Sequence, residues 1–265
     1  MQDKPEQFNI RHAEAFKDLA VVQAYRHRPP YPEEVFAILA ALLTEEPRAV
    51  LDVGAGSGDL ARSLVLFAER VDAVDASPQM IARGKQLPQG AHPRLHWIEG
   101  NVEDVPLTPP YALITAGSSI HWTEWPIAFS RFRSVLTPHG KLALIYRRIV
   151  PMPWSAELRD LQARFSIRGG HRSADVVAEL EKRGFFHKEG ERKTAPVSFV
   201  QSIEDFIEGL HSRSGLARAL LGKQKTADFD ERVRLLLLRF HRDGQLPLQT
   251  VATVTWGVPQ TGVIP

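Results

Sequence analysis

The stretch that decides the fold is Val50-Leu51-Asp52-Val53-Gly54-Ala55-Gly56-Ser57-Gly58-Asp59-Leu60. An apolar run, Ala49–Val53, ends in three alternating glycines, and a helical pattern begins at Leu60. Such a short apolar run bounded by turn residues reads as a buried strand. Glycine at every second position lets the backbone take dihedrals closed to other residues and approach a ligand closely. The helix start behind it adds exposed amides and positive potential. The same rhythm continues on both sides. Glu34–Leu43, Leu60–Arg70, Pro78–Gln86 and Trp125–Leu136 read as helices. Val71–Asp75, Leu95–Glu99, Tyr111–Ala116 and Lys141–Tyr146 read as strands. Strand and helix alternating at this spacing predict a parallel, doubly wound α/β sheet.

Asp75 closes the second strand, seventeen positions after Gly58. A carboxylate there can accept hydrogen bonds from both hydroxyls of a ribose. The dinucleotide pattern needs glycine at its first, third and sixth positions. Here the sixth position is Asp59, whose charge at the helix start disfavours a pyrophosphate. The loop therefore favours a nucleoside without a pyrophosphate over a nicotinamide dinucleotide.

Beyond residue 148 the rhythm changes. Glu157–Phe165, Ala174–Arg183, Ile203–Leu221 and Phe229–Arg242 are helical in pattern. Arg192–Val200 and Gln249–Trp256 are strand-like, which brings the expected sheet to seven strands. Because the last strand must return to the sheet, the late helices are expected to form a cap rather than a separate domain. Before the first strand, Pro29, Pro30 and Pro32 hold Tyr25–Pro32 in an extended turn.

Composition narrows the function classes. The 265 residues include no cysteine, which excludes a disulfide scaffold, a thiolate metal site and a cysteine nucleophile. Lys+Arg is 33 against Asp+Glu 31, too even for a nucleic-acid surface. His92 and His96 have helical ligand spacing, but Pro93 breaks it and no third ligand accompanies them, so no metal is expected. The longest apolar run, Val35–Leu43, is shorter than the ~20 residues of a membrane span. The polar N-terminus does not resemble an export signal, and a cytoplasmic location is expected.

Taken together the motifs resemble those of class I S-adenosylmethionine-dependent methyltransferases. VLDVGAGSGDL is similar to that family's first motif and VDAVDASPQMI to its second. IEGNVEDVPL is similar to the segment after the third strand, and YALITAGSSIHWTEW with FRSVLTPHGKLALIYR to the fourth strand, its helix and the fifth. The resemblance implies a Rossmann-like fold, a mostly parallel seven-stranded sheet with helical cap insertions. It divides the chain into a helical segment over the cofactor site (1–45), the cofactor-binding core (46–148) and the last strands with the cap (149–265). It also implies cofactor contacts. Gly54, Ala55 and Gly56 border the methionine part, and Asp52 orients its ammonium. Asp75 takes the ribose, Ala76 and Met80 the adenine face, Asn101 and Val102 its edge, and Ala116 the amino-acid end. Asn101 departs from the family's usual aspartate and keeps one acceptor for the adenine amino group. Tyr25 and Arg28 stand where relatives cover the cofactor carboxylate.

For the chemistry, the resemblance implies S-adenosylmethionine as methyl donor and a small molecule as acceptor, with neither nucleic acid nor membrane as partner; the oligomeric state stays open. His121, in Ser118-Ser119-Ile120-His121-Trp122 at the active edge of the sheet, is the candidate general base. The His-Trp pair resembles the trans-aconitate and biotin-pathway acyl-carrier subgroup, which esterifies carboxylates. Arg147, Arg148 and Arg213 are candidates to clamp such an acceptor, whereas Trp122 and Trp125 are expected to pack. Two other readings stand beside this one: an NAD(P)-dependent oxidoreductase, and a non-catalytic module that binds S-adenosylmethionine and regulates a partner.

Overall fold

Strand β1 (Ala49–Val53) lies between β2 (Arg70–Asp75) and β4 (Tyr111–Gly117), parallel to both, in a computed structural model that describes residues 19–167 and 175–262. All five residues of β1 are buried, as expected of a strand covered on both faces. Strand β3 (Leu95–Glu99) lies outside β2, and β5 (Leu136–Ile149) lies beyond β4, again in parallel. Two antiparallel strands follow, β8 (Gln245–Pro259) and then β6 (Phe186–Lys193), so the order is β3-β2-β1-β4-β5-β8-β6. The order reverses at β1, with β2 on one side and β4 on the other. Ligands of doubly wound sheets bind outside the carboxyl ends of the strands at such a point.

Among the described residues the sheet has eight strands, not the expected seven. The single strand read over Arg192–Val200 is two. β6 ends at Lys193, and β7 (Val197–Ser202) begins after Pro196, which has no N–H to give a ladder. Both pair with the long β8, with Lys193 opposite Thr253 and Val197 opposite Thr250. The predicted helix Leu60–Arg70 shortens to α3 (Ala61–Leu64) followed by turns.

On one face of the sheet, α2 (Glu34–Leu42) and α3 pack Val35, Leu39 and Leu64 against Val50 and Val71. On the other, α5 (Trp125–Val135) and α7 (Val176–Lys182) pack Phe129, Phe132 and Leu180 against Leu51 and Ile114. Helix α4 (Pro78–Gln86) starts with Pro78 in its first turn and Ser77 as cap, whose hydroxyl accepts from Met80 N–H at 3.3 Å.

A third core belongs to the cap. There α6 (Ser155–Phe165), α8 (Ile203–His211) and α10 (Lys223–Leu238) enclose Trp154, Phe206 and Phe229. Leu246 and Leu248 from the first half of β8 complete it, so sheet and cap share one strand. The helix read over Ile203–Leu221 is interrupted: α8 ends at His211 and α9 spans Arg218–Leu221. Glycine and serine between them are weak helix formers. The short α1 (Leu19–Ala24) runs into a 3-10 turn, Tyr25–His27, so the extended form expected of Tyr25–Pro32 begins only at Arg28, where the prolines start to act. Among the described residues no helix is long and apolar enough to cross a membrane.

Candidate active site

Gly54, Gly56 and Gly58 all have positive φ, at 63°, 59° and 78°. At Gly54 an added Cβ would come within 2.5 Å of Ser119 Cβ, so the loop passes the end of β4 at backbone contact. The loop is pinned to β2 as well. Gly56 N–H donates to Asp75 Oδ2 at 2.7 Å, and Ser77 N–H donates to Asp75 Oδ1 at 2.8 Å. Burial raises the Asp75 pKa despite these two bonds. A carboxylate has about four lone-pair sites, so two remain for a ligand.

Asp52 is 1% exposed beneath the loop. Its Oδ1 accepts from Thr115 Oγ1 at 2.7 Å, and its Oδ2 is buried without a hydrogen-bond partner among the described residues. Burial outweighs the Thr115 bond and pushes the acid up to about 7. A buried carboxylate oxygen with no donor is a group waiting for a cation or a donor. The glycine cradle, that orphaned oxygen and the spare lone pairs of Asp75 fit an aminoacyl nucleoside.

The remaining residues expected to contact a cofactor differ in exposure. Ala76 is exposed beside Asp75, and Met80 is buried at the start of α4. Asn101 is exposed, and its carbonyl accepts from the N–H groups of Asp104 and Val105 at 3.0 and 3.1 Å. Val102 and Ala116 are buried members of the core. Tyr25 overlies the loop, its Oη 3.4 Å from where a Gly56 Cβ would stand. Arg28 stacks on Tyr25, 4.0 Å from the ring centroid. It donates to the cap, from Nε to Ser212 Oγ at 2.9 Å and from Nη2 to the Ser212 carbonyl at 2.8 Å.

These features coincide with matches to known proteins. Residues 50–140 match a family profile described as a methyltransferase domain. An uncharacterized methyltransferase of Mycobacterium tuberculosis is 32% identical over 148 residues, 55% of this chain and 58% of that one. Residues 50–140 are thus similar to a methyltransferase domain. A malonyl-[acyl-carrier protein] O-methyltransferase of Halalkalibacterium halodurans is 35% identical over 105 residues, 37% of this chain and 38% of that one. The chain thus spans 58% or less of the length of these two relatives. A putative type II methyltransferase from Anaeromyxobacter dehalogenans shares the fold, with a TM-score of 0.65 at 23% identity over 88% of this chain and 99% of that one.

The remaining candidate residues are less uniformly arranged. His121 occupies a one-turn 3-10 helix, Ile120–Trp122, half-buried with its ring 4.2 Å from that of Trp122. The turn is anchored by Ser119, whose hydroxyl donates to the Val53 carbonyl at the end of β1. Ser118 before it holds φ at 56°, uncommon for a non-glycine residue. Trp125 is core, its indole N–H donating to the Ile120 carbonyl at 3.0 Å. The three arginines separate. Arg147 is 9% exposed, pairs with Asp59 Oδ2 at 2.9 Å and lies 4.1 Å from the Tyr31 ring centroid. Arg148, next along the strand, is exposed, and Arg213 reaches Gln162 Oε1 at 3.5 Å on the cap surface. Tyr31, Asp59, Thr115, Ser119 and Ser212 were not singled out as site residues in the sequence, because their roles depend on partners distant in the chain.

Proposed function

We propose that this protein transfers a methyl group from S-adenosylmethionine to a small-molecule acceptor, at oxygen or nitrogen, with a carboxylate as the favoured acceptor group. The observation that carries the reading is the paired use of two acids at one loop. Asp75 holds the glycine loop by two backbone bonds with lone pairs to spare, and Asp52 keeps a buried oxygen without a donor. When bound, the cofactor supplies a sulfonium-activated methyl, so positioning carries much of the rate. Asp52 would hold its ammonium, Asp75 its ribose hydroxyls, and Ala76, Met80, Asn101 and Val102 its adenine. Gly54, Ala55, Gly56 and Ala116 would offer backbone to its amino-acid end, with Tyr25 and Arg28 above.

His121 would serve as the base for an acceptor that must lose a proton, and as a positioning group for one that is already ionised. The malonyl-acyl-carrier relative supports carboxylate esterification, which needs no base at neutral pH. On this reading the segment 1–45, of which 19–45 are described, covers the cofactor, 46–148 bind it, and the described residues of 149–265 complete the sheet and cap the acceptor; 1–18, 168–174 and 263–265 lie outside the described residues. We place the protein in the cytoplasm, with neither nucleic acid nor membrane as partner.

Calorimetry with S-adenosylhomocysteine tests the proposal. Saturable binding that weakens a hundredfold or more in Asp75→Ala is expected. Absence of binding, or binding untouched by that change, refutes it. A thermal-shift panel with NADH and NADPH tests the oxidoreductase reading. Methylated product from a cell extract would exclude a purely regulatory module.

A further inference from the structure

A cavity of about 380 Å³ opens beside the start of α3, within the size range of ligand sites. Among the described residues its charge is one-sided: Arg26, Arg28, Arg62, Arg83 and Arg147 line it against a single carboxylate, Asp59. That carboxylate is already engaged, by Arg147 at 2.9 Å and by Arg62 at 3.6 Å. Arg62 also spends Nε on the Ser57 carbonyl at 3.0 Å and Nη1 on the Pro88 carbonyl at 2.9 Å. Among the described residues Arg83 has neither a hydrogen-bond nor an ion-pair partner.

One acid leaves this group of guanidiniums under-neutralised. Phe36 and Leu87 form apolar parts of the wall, which strengthens the repulsion by lowering the local dielectric. Solvent ions relieve part of that field, whereas a bound anion relieves it with fixed geometry. The guanidinium fork matches a carboxylate or a phosphate through two parallel bonds. Ser57 and Asp59 make the wall continuous with the glycine loop, yet Gly54, Asp75 and Asn101 are not part of it.

We propose that this arginine-lined cavity, which adjoins the glycine loop through Ser57 and Asp59 and shares Tyr25 and Arg28 with the expected cofactor contacts, is an anion subsite that holds a carboxylate or phosphate group of the acceptor. The assignment to an acceptor rests on the methyl-transfer reading above; the anion site itself does not.

The experiment titrates inorganic phosphate and, separately, succinate into the full chain by calorimetry at low ionic strength. Each titration is run with and without saturating S-adenosylhomocysteine. At least one probe is expected to bind saturably at one site, and the one that does identifies the anion chemistry. Arg83→Gln should weaken it tenfold or more, Arg26→Gln should weaken it too, and both should leave the S-adenosylhomocysteine Kd within twofold. Arg239→Gln, on a surface arginine paired with Glu157 at 2.7 Å, should change nothing. The subsite is overturned if neither probe saturates, or if Arg239→Gln weakens the anion as much as Arg83→Gln. It is overturned equally if Arg83→Gln weakens S-adenosylhomocysteine by the same factor, since the cavity would then be the cofactor's. Anion binding in a protein that does not bind S-adenosylhomocysteine would remove the acceptor assignment and sink the methyl-transfer reading instead.

Discussion

Asp52→Asn separates what the fold tolerates at the end of β1 from what the site requires. The carboxylate is 1% exposed, so its charge is barely screened by solvent. Its pKa moves from 3.8 to about 7, with burial as the largest cause. Between those values the folded chain holds a proton that the unfolded chain has released. Stability therefore falls as pH rises through this window and flattens above the folded value. Integrated from pH 5.5 to 8.5, this one group costs the ligand-free protein roughly 2 kcal/mol. Asparagine keeps an acceptor for Thr115 and does not titrate. Urea unfolding of both proteins at the two pH values should show the variant's stability relative to wild type rising by roughly that amount. The same variant should bind S-adenosylhomocysteine about 10- to 100-fold more weakly, since a charge-assisted bond to an ammonium is worth ~1.5–3 kcal/mol. A stability difference that does not change with pH would show that Asp52 carries no raised pKa. Unchanged binding would show that it does not face the ligand's amino-acid end.

Three further outcomes are expected. Gly54→Ala should lose ~1–3 kcal/mol in thermal unfolding and weaken S-adenosylhomocysteine, because φ is 63° and the new methyl lands 2.5 Å from Ser119 Cβ. Asp75→Asn can no longer accept from Gly56, Ser77 and a ribose through a full carboxylate, so calorimetry should show weakening of at least tenfold with the fold retained by circular dichroism. In the cap, Asp230 accepts from His211 Nε2 at 2.6 Å and Arg218 Nη1 at 3.0 Å. Burial works against its charge, but its interactions with His211 and Arg218 hold its pKa below the ordinary range. Its contribution is therefore present above the unfolded carboxylate value and lost as pH falls below it. Asp230→Asn should cost ~1–3 kcal/mol at pH 7, and the gap to wild type should close in acid.

The cofactor half of the fold was legible because its signals are local. Continuous apolar runs mark strands buried on both faces, and alternating glycines mark a turn with positive φ. Those signals place β1 to β5 and bring Asp75 to the loop. What was not legible depends on distance. Pro196 divides what reads as one strand, but that the two pieces pair with different halves of β8 follows only from the folded sheet. Asp59 read alone is a negative charge at a helix start. In the fold it is the counter-ion of Arg147, 88 positions away, and of Arg62, so its charge is partly spent before any ligand arrives. Arg28 was read as a cofactor contact, and no local pattern indicated its bonds to Ser212, 184 positions on.

That last contact gives the proline turn a mechanical meaning. Tyr25 overlies Gly56 at one end of the segment, and Arg28 stacks on Tyr25 while bonding Ser212 at the end of α8. Two more bonds tie the segment to the cap: Gln201 Nε2 donates to the His27 carbonyl at 2.9 Å, and His27 Nδ1 lies 3.2 Å from Asp205. These contacts lie within one 3-10 turn, Tyr25–His27, and its C-cap Arg28, and Pro29, Pro30 and Pro32 fix the chain that follows. The residues bonded to α8 and the residue that overlies the glycine loop are thus at most three positions apart. On the proposed reading, in which the cap frames the acceptor and that loop the donor, such a strut makes the two ends share one geometry. Near-attack alignment of a displacement reaction depends on that shared geometry, because a misplacement of about 1 Å can cost a hundredfold in rate.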